Sequence, residues 1–128
     1  QQVAELLEQQ IEKGVLKKLV GHKRNSKERI VIDPAQVYYF YAELADVFAR
    51  LEEGDLIVNS TLKELLTNLD PQHFAQTHKA YIVNIDKIEK VSPMFSGNFE
   101  IFLKDSKNSK IPLSRRFAKH LKQLLRNW

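Results

Sequence analysis

Apolar and polar residues alternate in short runs over most of the chain, and turn chemistry separates the runs. From ERIVI (28–32) the pattern passes through the turn DPAQ to VYYFYAE (37–43), a corner near 44–46, VFARLE (47–52), the turn EEGD, and DLIVN (55–59). Period-two stretches bounded by Gly, Pro, Asp and Asn predict a meander of antiparallel hairpins. Thr61 with Glu64 three residues on reads as a capping box, and Leu62, Leu65, Leu66 and Leu69 fall on one side of the turns that follow. That predicts a short helix ending before Asp70 and Pro71, placed as a lid on the sheet.

The alternation resumes in FAQTHKAYIVNIDKI (74–88), but His78 and Lys79 interrupt it, and Asn84 and Asp86 interrupt it again. A strand pair with a polar corner fits, with Phe74, Tyr81, Val83 and Ile85 at core and strand positions and Asn84 with Asp86 turning the chain as an Asx corner. KIEKVSPMF (87–95) and NFEIFLKD (98–105) flank Ser96, Gly97 and Asn98, a hairpin turn by composition. SKIPL (109–113) is a further strand, at a sheet edge because Pro112 has no N–H to donate. Ser114 is placed to cap a final helix whose Phe117, Leu121, Leu124 and Leu125 share one side.

At the other end, QQVAELLEQQIEKGVLKKLV spaces Val3, Leu6, Leu7, Ile11, Leu16 and Leu19 at helical intervals. An amphipathic linker helix over 1–20 is expected, closed by Gly21, and HKRNSK (22–27) then reads as a basic linker. The resulting division is helix and linker over 1–26 and a domain over 27–128. The chain begins with Gln1, so it is expected to be part of a longer polypeptide whose amino-terminal regulatory domain is missing.

Composition narrows the chemistry. The 128 residues suit one domain with a modest core, and no apolar run nears the roughly 20 residues of a membrane span. There is no cysteine, which excludes disulfides, thiolate metal sites and a cysteine nucleophile. Net charge is +4, but unevenly spread: residues 30–72 carry eight acidic and two basic groups, whereas 73–128 carry eleven basic and four acidic. The last half therefore suits a polyanion.

Catalytic patterns are missing. His22, His73, His78 and His120 lie at no metal-pair spacing, no nucleophile elbow surrounds Ser114, and the four glycines form no phosphate loop. Neither an enzyme nor a cofactor or metal site is expected. Tyr38, Tyr39, Phe40, Tyr41 and Phe48 offer stacking faces, but they sit in the acidic segment and read as core with tyrosine rims. What remains is a set of basic corners: His78 with Lys79, the Lys104 to Lys110 loop, and Ser114 followed by Arg115 and Arg116. Arg at a corner suits guanine O6 and N7, while Lys, Ser and free amides suit phosphate.

Taken in order, these segments resemble the LytTR-type DNA-binding domains, output modules of bacterial response regulators, over roughly residues 28–126. The family motif F-x-R-x-H-R-S-Y-x-V-N is matched by Phe74, His78, Tyr81, Val83 and Asn84, with Lys79 for Arg; Gln76 stands where Arg is usual and Ala80 where Ser is usual. Ser114 and Arg115 match the closing S-R pair. The resemblance implies a mostly β fold, an elongated stack of short antiparallel sheets with one internal helix and a C-terminal helix, that reads double-stranded DNA through loops. Carried over, the contacts are the corner at 44–47, His78, Lys79, Ser114 and Arg115, with Arg116 and Asn98 assisting.

The expected function is sequence-specific DNA binding by the output domain of a cytoplasmic transcriptional regulator. Tandem domains on a direct-repeat promoter site would combine two weak modules, and a homodimer would form through the missing domain or the helix at 1–20. The alternative is a protein-interaction domain of the same fold that docks a partner on its acidic middle and has lost DNA binding.

Overall fold

Ten short strands and two helices account for most of residues 16–128, the part of the chain that the computed structural model describes. In chain order they are β1 (Leu19–His22), β2 (Ile30–Ile32), β3 (Tyr39–Glu43), β4 (Asp46–Leu51), β5 (Gly54–Val58), α1 (Leu62–Asn68), β6 (Phe74–His78), β7 (Tyr81–Asn84), β8 (Ile88–Pro93), β9 (Phe99–Leu103), β10 (Lys110–Leu113) and α2 (Arg115–Leu124). Seven strands form one sheet in the order β2-β1-β5-β4-β3-β7-β6, and three form a second in the order β10-β9-β8. Every described pairing is antiparallel. Pro112 sits on β10, at the edge of the small sheet, as its missing N–H requires.

The large sheet is buried on both faces where β3, β6 and β7 run. Phe40, Phe74 and Ile82 pack on one side with Leu65 and Leu69 from α1 and its end. Their immediate neighbours Tyr39, Ala75 and Val83 pack on the other side with Ile101, Leu103, Ile111 and Leu113 of the small sheet and with Ala118 and Leu121 of α2. Adjacent strand residues point to opposite faces, so each dipeptide supplies both cores. This is why the run at 81–83 is continuously apolar. Ile82 and Val83 are both fully buried, each stabilising the fold by about 1.5–3 kcal/mol.

Local chemistry sets the joints. The Thr61 hydroxyl accepts the Glu64 N–H and the Glu64 carboxylate accepts the Thr61 N–H, completing the capping box of α1. The buried Asn84 side chain accepts the Asp86 N–H at 3.1 Å and donates to the Val37 carbonyl at 2.9 Å. The Asx corner thus also ties β7 to the segment before β3.

The amino end departs from expectation. Leu19–His22 is strand rather than the last turn of a helix, because it pairs with β2 through Leu19↔Ile32 and with β5 through Gly21↔Val58, which satisfies its backbone on both sides. Gly21 is a close-approach residue, not a helix stop: a Cβ there would stand 2.8 Å from Ile32 Cδ1 and 3.2 Å from the Ile57 carbonyl. The segment 23–29 is accordingly the β1–β2 loop of the folded unit and not a linker ahead of it. Residues 1–15, which hold most of the expected helix, lie outside the described residues. No described helix is long and apolar enough to cross a membrane.

Candidate nucleic-acid interface

A bulge aims the first candidate residue. Pairing of β6 with β7 runs from Phe74↔Asn84 to Gln76↔Ile82 and then shifts, so that His78 faces Tyr81 and Thr77 is the extra residue. Bulges re-aim side chains in this way. The His78 ring packs edge-on against Tyr81 at 5.7 Å, and its Nδ1 accepts the Ala80 N–H at 3.1 Å. With Nδ1 as acceptor, the neutral ring carries its proton on Nε2, which is left as a donor. Lys79 beside it is exposed.

The same bulge docks the second candidate. Thr77 O accepts the Ser114 N–H at 2.8 Å, which brings the start of α2 against the end of β6. Ser114 occupies the N-cap position, yet its hydroxyl makes no capping bond. The cap comes from the β8–β9 hairpin instead, where Asn98 Oδ1 accepts the Arg115 N–H at 2.9 Å. Arg115 lies across that hairpin: a Cβ on Gly97, whose φ is +79°, would stand 2.7 Å from Arg115 Cδ. His78, Asn98 and Ser114, distant in sequence, therefore line one open concavity of about 510 Å³ together with Met94 and Phe95.

Of the predicted site residues, His78, Lys79, Asn98, Ser114 and Arg115 are brought together by these bonds. Arg116 follows on the exposed side of α2, with its guanidinium 5.4 Å from the Phe117 ring. The described ion pairs are those of Arg24 and Arg50, with the His73 ring beside Asp70 and Asp86, so Lys79, Arg115 and Arg116 have no ion partner among the described residues. Gln76 lies apart, in a separate recess with Phe117 and His120. Ala80 donates its N–H to His78, and its carbonyl accepts the Ala42 N–H at 3.0 Å.

That last bond joins the β6–β7 corner to the β3–β4 corner. Leu44 at its tip is fully exposed with φ +55°, a left-handed conformation unusual for a branched side chain. Asp46, which closes the hairpin opposite Glu43, is paired with Arg24 at 3.0 Å.

The acidic middle is largely committed elsewhere. Asp46 pairs with Arg24, Asp55 holds Arg50 at 2.7 Å and accepts the Tyr41 hydroxyl, and Glu52 accepts from Tyr38 and from Ser106 N. Burial, then the Asp55 carboxylate, push the Tyr41 phenol well above its usual range. Tyr41 stacks on Phe48 at 5.0 Å and on Tyr81 at 6.0 Å, so the aromatic cluster is engaged with itself.

Two features escaped sequence reasoning. Phe95 is 86% exposed at the β8–β9 tip, beside Arg115's anchor. A large apolar residue next to Ser-Gly-Asn was the available signal. The other is the basic β1–β2 loop, which is ordered and docked.

A family described as the LytTr DNA-binding domain matches residues 27–126. The sensory transduction protein LytT of Bacillus subtilis is 30% identical over 96 residues, covering 75% of this chain and 39% of that protein. LytT of Bacillus anthracis is 36% identical over 88 residues, covering 67% and 35%. The transcriptional regulatory protein YpdB of Escherichia coli K12 is 29% identical over 99 residues, covering 77% and 40%. The chain thus spans about two fifths of the length of the curated relatives it matches. Among solved structures, a LytTr DNA-binding domain of a Bacillus cereus response regulator aligns with a TM-score of 0.77 at 20% identity, covering 87% of this chain and 98% of that one. That likeness shows the shared fold.

Proposed function

Because the chain belongs to the LytTr DNA-binding domain family, a family of DNA-binding domains and not of enzymes, we propose that it binds double-stranded DNA sequence-selectively through its corners. The observation that carries this reading is the convergence of His78, Asn98 and Ser114 on one concavity flanked by Lys79 and Arg115, cations without an ion partner among the described residues. Lys79, the Ser114 hydroxyl and Arg116 hold phosphates, which sets register without reading sequence. Arg115, steadied by Gly97 and by the Asn98 cap, reaches a guanine edge in the major groove. Phe95 offers an apolar face to a thymine methyl.

The wider role follows from the relatives' character as regulators. The domain acts as the DNA-binding output of a bacterial transcriptional regulator in the cytoplasm, beneath an upstream regulatory domain. Two copies on a direct-repeat site about one helical turn apart would let modest single-domain affinities combine. Partner docking on an acidic face is the weaker reading, since Asp46, Glu52 and Asp55 already have partners within the chain.

Selection of bound duplexes from a randomised pool, followed by mobility shifts at low and moderate salt, tests the reading. Enriched sequences whose retardation weakens steeply with salt are expected. Absence of retardation at any salt would sink it.

A further inference from the structure

The β1–β2 loop is built more firmly than a basic linker. Ser26 N donates to Lys23 O at 3.1 Å, Asn25 at φ +64° turns the chain, and the Ser26 hydroxyl accepts the Glu28 N–H at 3.2 Å. One guanidinium nitrogen of Arg29 lies over the carbonyls of Ser26, Lys27 and Glu28, the nearest at 3.2 Å. Arg24 then anchors the loop to Asp46, on the far side of the β3–β4 tip. Lys23 and Lys27 remain exposed, with no ion partner among the described residues.

Position gives these two charges a use. An ion pair links Arg24 to Asp46, the β3–β4 hairpin links Asp46 to Ala42, and hydrogen bonds then run from Ala42 N to Ala80 O and, past Lys79 and His78 along the chain, from Ser114 N to Thr77 O beside Arg115. The loop is one end of that row. The corner it adjoins supplies Glu43 and Asp46, carboxylates that would repel a phosphate, and Arg24 covers one of them. Lys23 and Arg24 precede the segment matched by the family, which begins at Lys27.

We infer that the β1–β2 loop is a phosphate-binding arm, in which Lys23 and Lys27 contact the DNA backbone beside the β3–β4 corner and Arg24 holds the loop in place. The inference rests on the DNA-binding reading above. An arm of this kind adds salt-dependent affinity and carries no sequence information. Pre-ordering by Arg29 and Arg24 lowers the entropy cost of docking it.

The test uses the full chain and a labelled duplex that the protein itself has selected, with anisotropy titrations over a range of salt. For a Lys23→Gln, Lys27→Gln double variant the log–log salt dependence should become shallower by about two, roughly one per lysine, with the selected sequence unchanged. Arg24→Gln, which frees the loop, should weaken binding in the same direction. Both lysines are exposed, so the thermal midpoint should stay put. A double variant with wild-type affinity and slope overturns the arm while leaving DNA binding intact. If the wild-type chain binds no duplex, the DNA-binding reading fails and the arm with it.

Discussion

Asn98 Oδ1 accepts the backbone N–H of Arg115 across 17 residues of sequence, so a hairpin in the small sheet caps the helix that begins at the S-R corner. Asn98→Ala removes that acceptor and should cost about 1 kcal/mol of stability, the usual value for a lost N-cap. Asn98→Asp keeps an acceptor at the positive end of the helix and should restore it. Urea denaturation reads the stability of both variants. DNA titration then separates the roles: if the Asn98 amide also meets DNA, the Asp variant stays stable but binds more weakly, because it puts a carboxylate beside phosphate.

Arg115 and Lys79 are both exposed and unpaired among the described residues, yet their substitutions should differ in kind. Arg115→Ala should relax preference at one base pair by about 1–3 kcal/mol. Lys79→Ala should weaken binding evenly across sequences and lower the salt slope by about one. Neither should change folding stability by more than about 0.5 kcal/mol. Competition between selected and single-substituted duplexes measures the difference, and an Arg115→Ala protein with intact preference would remove Arg115 from base readout.

Asn84 is 1% exposed and serves three neighbours, donating to the Val37 and Ala35 carbonyls and accepting from Asp86 N. Asn84→Ala leaves the Val37 carbonyl without this partner inside the protein and opens the Asx corner. A loss of about 2–4 kcal/mol is expected, because stranded buried polar groups cost more than a hydrogen bond contributes. Chemical denaturation checks it. A loss below about 0.5 kcal/mol would mean that the corner is held by packing alone.

How much of this could be read from residues alone varied with the range of the interactions. The strand pair at 74–84 and its polar corner were legible, since alternation and an Asx turn are local signals. The capping box of α1 was legible for the same reason. The cap of α2 was not: Ser114 has the right residue type in the right place, but a tertiary partner, Asn98, took the bond. The basic loop read as a linker because exposed polar sequence looks alike whether docked or free, and what distinguishes the two is tertiary: the pairing of β1 with β2 and β5 and the Arg24–Asp46 contact. Strand β1 was hidden by coincidence, since Leu16 and Leu19 fit a helical spacing and also fit packing against the sheet.

Gly21 decides between those two readings of the amino end by the sign of one measurement. In an extended β1 a methyl group at Gly21 would stand 2.8 Å from Ile32 Cδ1, 3.1 Å from Leu56 Cβ and 3.2 Å from the Ile57 carbonyl. The isoleucine methyl can move aside, but Leu56 Cβ is fixed to its backbone and the Ile57 carbonyl is main chain. Gly21→Ala should therefore destabilise the domain by about 1–3 kcal/mol, the range for overpacking a filled interior. It should also speed amide exchange in β1 and β2 ahead of the other strands. Were Gly21 the end of a helical segment with an ordinary helical backbone, the same substitution would stabilise the protein by up to about 1 kcal/mol. Because β1 carries the loop that Arg24 anchors, a loosened β1 should also reduce the salt dependence of DNA binding without altering the selected sequence.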